Sequence, residues 1–260
     1  MTNPAAVNPT AAMLAIGDEV LSGRTRDANV QVLAAALTGI GIGLREVRIC
    51  PDEQPEIIRH LNALRGAYDH VFTSGGIGPT HDDITADAVA AAFGVSIGVR
   101  EDARAILAAY YDRPEDLNAA RLRMARIPEG ATLILNPVSQ APGFTLGNVH
   151  VMAGVPAIFA AMLQGVLPTL KGGAPLLAWS LRAPIAEGEI AEELGACAAA
   201  MPDVSFGSYP FYRGGQGVTL VARSPDAARL AEAAAALRAL LERLRPGAVV
   251  ETPPEAAQGA

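Results

Sequence analysis

Between residues 73 and 85 the chain reads Thr-Ser-Gly-Gly-Ile-Gly-Pro-Thr-His-Asp-Asp-Ile-Thr. Gly75, Gly76 and Gly78 can take dihedrals that side chains forbid, and they let a ligand come close to the main chain. Amide N–H groups bared along such a turn, with the start of a following helix, cradle phosphate oxygens. Asp82 and Asp83 come next. Carboxylates beside a phosphate repel it unless a divalent cation lies between, and magnesium is commonly held by one or two carboxylates plus substrate phosphate. The pattern points to a metal–pyrophosphate site, with Asp83 first and Asp82 second as metal ligands and catalytic groups. A glycine-rich turn whose aspartate caps a helix accounts for the same residues and stays open beside it. His81 is a candidate proton carrier or ligand, although a single histidine reads more readily as a bystander.

These residues need elements to position them. Met13–Ile16 is a short apolar run ending at Gly17, as a buried parallel strand would. Val30, Leu33, Ala34 and Leu37 follow at helical spacing, stopped by Gly39-Ile-Gly41. Val47 and Ile49 alternate with charged neighbours as a second strand. A helix from Pro55 carries Ile58, Leu61 and Leu64 on one face. Val71–Ser74 is a third strand, entering the glycine turn, and Thr85–Phe93 is the next helix. The middle is read as helical up to Met124, Thr132–Leu135 as a strand, and Gly147-Asn148 as the turn of a hairpin. A helix over 157–170 closes this part. Alternating strands and helices imply a largely parallel sheet covered on both faces, with ligands bound at the C-terminal strand ends. Asp18 and Glu19 follow the first strand and can face that crevice as outer metal ligands or ribose acceptors, or form a solvated loop.

After a linker at 171–175 the order becomes βαββα, a small α+β unit of roughly ferredoxin-like type. Segments 1–10 and 246–260 read as disordered tails, leaving domains at 11–171 and 176–245. The leucine stripe of helix 227–244 fits a domain core or part of a subunit interface.

Composition narrows the function classes. Half of the 260 residues are hydrophobic, and the net charge is −7 with a pI near 5.1. Such a chain can bury a core, but lacks the basic surface of a sequence-independent nucleic-acid binder. The glycine-rich run Arg213–Gly217 lacks a GxxG loop with basic surroundings, so no nucleic-acid partner is expected. Cys50 and Cys197 form no zinc or disulfide pattern and read as buried thiols. With no secretory signal and no membrane-length apolar run, a cytoplasmic location without membrane contact is expected.

The segment GGIGPTHDDIT resembles the GGxGPTxDDxT signature of the N-terminal domain of competence/damage-inducible protein A (CinA), within the MoaB/Mog molybdopterin-binding family. Ile16–Gly23 with Asn29, Asn136-Pro-Val138, Ala141–Phe144, Gly154-Val-Pro156 and Gly207–Pro210 agree in order, so the likeness spans roughly residues 12–245. The resemblance implies a three-layer α/β/α MoaB/Mog-like domain with a mostly parallel sheet, plus a small C-terminal α+β domain. It implies binding of a nucleotide-like or pterin small molecule, molybdopterin included. Relatives hydrolyse the pyrophosphate of ADP-ribose, and related domains act on FAD or CoA, with a divalent metal (Mg, Mn or Co).

The expectation is therefore a metal-dependent nucleotide pyrophosphatase acting on ADP-ribose-like dinucleotides; the alternative is a non-hydrolytic molybdopterin-binding protein. No nicotinamide-nucleotide amidase activity is expected of these residues. Carried over residue by residue, ligand contacts fall at Gly17, Asp18, Glu19, Ser22, Gly23 and Asn29. They continue at Ser74, Gly75, Gly76, Gly78, Pro79, Thr80 and Thr85, and end with Asn136, Pro137, Gly143 and Gly154. Asp27 or Asn29 also fits a helix cap, and Gly143 and Gly154 are expected to shape loops over the ligand. A homo-oligomer, dimer or trimer, is expected. Two departures stand out: Ala153 where relatives carry proline, and Ser139-Gln140 where they carry glycine and threonine.

Overall fold

The computed structural model describes residues 8–212 and 215–253. The chain divides between Gly173 and Ala174 into two compact units. The first unit runs β1 (Thr10–Ile16), α1 (Asp18–Leu21), α2 (Asn29–Gly39), β2 (Gly43–Cys50), α3 (Gln54–Ala67), β3 (His70–Ser74), α4 (Thr85–Phe93) and β4 (Ile97–Val99). It continues with α5 (Glu101–Tyr110), α6 (Ala119–Leu122), β5 (Arg126–Pro128), β6 (Thr132–Ile134), β7 (Gly143–Leu146), β8 (Val149–Met152) and α7 (Pro156–Val166).

One sheet has the order β2-β1-β3-β8-β7-β6. β2, β1, β3 and β8 are parallel, and β7 runs antiparallel to both its neighbours. Both faces of β1 are buried, which is why its sequence is continuously apolar. Ala12, Leu14 and Ile16 enter one core with Ile57 and Leu61 of α3, Val89 of α4 and Leu107 of α5. Ala11 and Met13 enter the other, with Leu33 and Leu37 of α2 and Phe159 and Met162 of α7. This is the three-layer α/β/α domain with a mostly parallel sheet that the sequence implies.

Two local readings are corrected. β1 begins at Thr10, inside the segment that reads as a tail; the Thr10 amide and hydroxyl both donate to Asp69 Oδ2 at 2.8 Å, which ties this polar residue down. Residues 1–7 lie outside the described residues. The middle is not wholly helical: β4 and β5 pair antiparallel, three residues each, too short for a period to register.

The second unit runs β9 (Leu177–Ala183), α8 (Glu187–Ala200), β10 (Ser205–Phe211), β11 (Gly217–Ser224), α9 (Ala227–Leu244) and β12 (Val250–Thr252). Its antiparallel sheet has the order β10-β11-β9-β12. The helices pack on a core that includes Leu181, Ile190, Leu220, Leu230, Leu237 and Leu241. β12 overturns the reading of 246–260 as a tail, and it completes a ferredoxin-like βαββαβ order. Its partner is the distant strand β9, and Arg238 Nε donates to Glu251 at 2.9 Å, so nothing local announces it. Residues 254–260, and Arg213 and Gly214 of the glycine-rich run, lie outside the described residues. Leu230, Leu237 and Leu241 are fully buried, so this part of the α9 stripe is domain core. Cys50 is buried, and burial pushes its thiol up to about 12, whereas Cys197 is only half-buried. Among the described residues no helix is long and apolar enough to cross a membrane.

Candidate functional site

β1 has β2 on one side and β3 on the other, so the connections leaving its C-terminal end diverge there. A cavity of about 560 Å³ opens at that switch point, where open α/β sheets bind ligands. One wall is the glycine turn. Gly75 has φ +107°, and a Cβ on it would lie 2.2 Å from the Ile16 carbonyl oxygen. Gly76 has φ +68°, and its Cβ would lie 2.1 Å from Thr85 Oγ1. Only glycine lets this turn sit so tightly on the end of β1 and the start of α4. Buried Thr85 clamps it from behind, its hydroxyl donating to the Gly75 carbonyl and its amide to the Gly76 carbonyl, both at 3.0 Å. The amides of Gly76, Ile77 and Gly78 find no protein acceptor among the described residues. Packed beside this turn, with the Gly154 Cβ position 3.2 Å from Gly75 Cα, stand Gly154, Val155 and Pro156, where α7 begins, adding the unsatisfied N–H groups of a helix N-terminus.

The carboxylates of Asp82, Asp83 and Glu19 line the same cavity, Asp83 against the turn itself, where a Cβ on Gly78 would lie 2.6 Å from its Oδ2. Asp83 Oδ2 accepts from the Thr80 amide at 2.8 Å and from the Thr80 hydroxyl, so one oxygen serves its own loop. Asp82 keeps 60% of its side chain exposed, and its carboxyl lies below the usual range, chiefly because of the nearby Thr80 hydroxyl. His81 projects into solvent, 99% exposed. Asp18 does not line the cavity; its amide donates to Asp52 Oδ2 at 3.0 Å. Asp52 does line it, and no sequence reading singles it out. Its carboxyl is pushed up by burial first; the Asp18 amide opposes this, and the charges of Asp18, Glu19 and Asp82 add to it. Asp52 lies two residues beyond β2, so the same strand-end rule that marks Asp18 could have found it.

None of these five acids pairs with lysine or arginine among the described residues. No group of three or more His, Cys, Asp or Glu among those residues is arranged to enclose a metal by itself. The chemistry of the wall nonetheless suits a divalent cation whose remaining ligands are water and phosphate, as magnesium's usually are.

Of the other expected residues, Gly17, Gly75, Gly76, Gly78, Pro79, Asn136 and Gly154 border the cavity. Asn29 and Ser74 are buried behind it: Asn29 Nδ2 donates to Ser74 Oγ at 2.7 Å and to the Gly154 carbonyl at 2.8 Å, a strut between β3 and the α7 entry. Asp27 caps α2 by accepting from the Val30 amide at 2.9 Å. Thr80 and Thr85 act within the loop, as described. Ser22 and Gly23 are exposed, and neither they nor Pro137 border the cavity. Gly143 lies inside β7, where a Cβ would meet the Val151 carbonyl at 2.2 Å; sheet packing, not a loop over the cavity, explains this glycine. Asn136 organises its own loop, accepting from the Val138 and Ser139 amides at 3.1 Å and donating to Ser139 Oγ at 2.6 Å. Ser139 reaches the cavity, while Gln140 takes φ +62°. Thr25, Met124 and Ile158 also line it and carry no sequence signal of that role.

A family described as probable molybdopterin binding domain matches residues 12–172, and one described as FAD synthase, middle domain, matches residues 175–251. The chain is 35% identical over 182 residues to a protein of Pyrobaculum arsenaticum, covering 68% of this chain and 69% of that one. It is 34% identical over 209 residues to a CinA-like protein of Desulfosudis oleivorans, covering 76% of this chain and 51% of that relative, so it spans about half that relative's length. Among solved structures, CinA of Thermoplasma acidophilum, described as of unknown function, matches with a TM-score of 0.59 and 33% identity, over 63% of this chain and 99% of that one.

Proposed function

This chain belongs to the family of probable molybdopterin binding domains, and from that premise we propose that its cleft hydrolyses the phosphoanhydride of an ADP-ribose-like dinucleotide with the help of a divalent cation. One observation carries the reading: the bare amides of Gly76–Gly78 and the uncompensated acids Glu19, Asp52, Asp82 and Asp83 share one cavity at the switch point. The amides bind phosphate oxygens and stabilise charge that builds in the transition state. Asp82 and Asp83 hold magnesium, manganese or cobalt, which when bound supplies polarisation of a phosphoryl oxygen and a more acidic water. Asp52, which lines the same cavity and whose carboxyl burial pushes up, takes the proton from the attacking water. Ile77, Met124 and Ile158 give the cavity an apolar side for a planar ring.

The same apolar side favours a second reading, a pterin held without turnover. The test is release of AMP and ribose 5-phosphate from ADP-ribose with each metal, beside FAD, CoA and NAD. FAD is included because residues 175–251 match the FAD synthase middle domain. Turnover lost in Asp83→Ala supports hydrolysis. No turnover of any compound, with tight molybdopterin binding, selects the second reading.

A further inference from the structure

β2 is an outer strand of the first unit's sheet. The Cys50 carbonyl accepts from the Gly17 amide at 3.1 Å, so the main-chain groups of Cys50 face inward, toward the β1 side. The N–H and C=O of one β residue point to the same side, and the side alternates along a strand. The main-chain groups of Ile49 and Val47 therefore face outward, and their side chains are 42% and 39% exposed. Glu46 and Arg48 stand on the opposite face of the strand, where they bond one another at 2.6 Å and reach Tyr68 and His60. Both stay about a third exposed, at 33% and 29%.

An outer strand of this kind is usually blunted by charge of one sign, a proline or a covering element. Here Glu46 and Arg48 have opposite signs and their order is self-complementary, while exposed Arg45 lies outside this pair, at the irregularity where β2 shifts register on β1. If two copies of Glu46-Val47-Arg48 pair antiparallel about a two-fold axis at Val47, each Glu46 stands opposite the other copy's Arg48. The same register makes Val47 opposite Val47 the pair that exchanges both main-chain hydrogen bonds, and Val47 is a residue whose groups face outward. Registers that oppose Glu46 to Glu46, or Arg48 to Arg48, set like charges face to face.

We propose that β2 is the self-association edge of this chain: two copies join antiparallel about Val47 into one continuous sheet. The occupant is a second copy because the charge order and the outward main-chain groups select the same axis independently. This inference rests on the fold alone and is independent of the proposed hydrolysis.

The test uses the full chain in sedimentation equilibrium, with circular dichroism to verify folding. Wild type is expected to dimerise. Glu46→Arg and Arg48→Glu are each expected to weaken the dimer about tenfold or more, since each sets like charges opposite one another twice. An equimolar mixture of the two variants is expected to recover a heterodimer, because the two arginines of one chain then face the two glutamates of the other. A variant that merely loses its internal contacts to Tyr68 or His60 gains nothing from mixing. A monomeric wild type, a dimer indifferent to both reversals, or a mixture that fails to recover overturns the proposal.

Discussion

Gly75 and Gly76 are pinned on one side of the cleft by neighbours that a Cβ would strike at 2.2 and 2.1 Å, whereas on the other side Asp52 hangs from a single amide bond while three like charges push on it. The glycine wall is fixed by sterics and by the Thr85 clamp, and its shape belongs to the fold. Among the described residues no lysine or arginine side chain pairs with the acids of the cleft, so a ligand gains there what they lack. Substitutions among the glycines should register mainly as lost stability, and those among the acids mainly as lost binding.

Gly75→Ala gives the largest effect. It places a methyl against a backbone carbonyl at a positive φ, and is expected to cost about 3 kcal/mol in urea unfolding and to abolish ligand binding with it. A cost below about 1 kcal/mol would show that the wall yields, and the contrast would break. Asp83→Asn comes next: turnover should fall about a hundredfold through lost cation affinity, while stability falls by only about 1 kcal/mol because the Thr80 bonds weaken. A variant that binds manganese as well as wild type in electron paramagnetic resonance would move Asp83 from the ligand set to the loop scaffold. Asn29→Ala sharpens the comparison from behind the cleft. It removes the strut to Ser74 and Gly154 and should cost about 1–3 kcal/mol, with affinity for ADP-ribose falling because Gly154 is no longer held.

The same contrast decides what the sequence could reveal. A wall built by sterics must be written in glycines, so residues 75–78 are legible from residue types and spacing alone, and the continuous apolar run of β1 announces a buried parallel strand for a similar reason. The acidic set is assembled from three separate strand ends. Asp82 follows a conspicuous motif, but Asp52 follows an ordinary Cys-Pro pair, and only the sheet order brings it into one cavity with Glu19. Asn29 and Ser74 are legible as members of a shared pattern, yet their part as a buried strut depends on a contact across 45 residues. β12 fails to register for the same reason as Asp52: its stabilising partner, β9, is far away in the chain.

Asp52→Asn should produce the smallest change in stability and is the most informative, because its sign separates charge crowding from structural support. Asparagine can still accept the Asp18 amide bond while removing the charge. The folded-state pKa of Asp52 is raised, so the native protein holds this proton longer than the unfolded chain. That contribution is fully present below the unfolded value and is lost as pH rises through the folded one. Relative to wild type the variant should therefore gain stability as pH rises above about 4, reaching a few tenths of a kcal/mol at neutrality after allowance for solvent screening. His150 runs the other way: burial, with a smaller push from His70, holds its imidazole at about 4. Both proteins lose stability as pH falls from about 6.5 toward that value, and this shared loss cancels in the difference between them. Manganese should then raise the melting temperature of wild type more than that of Asp52→Asn, since the crowding it relieves is already gone in the variant. A variant less stable than wild type at neutral pH would mean that the Asp18 bond needs the full carboxylate, and Asp52 would belong to the fold, on the same footing as the glycines across the cleft.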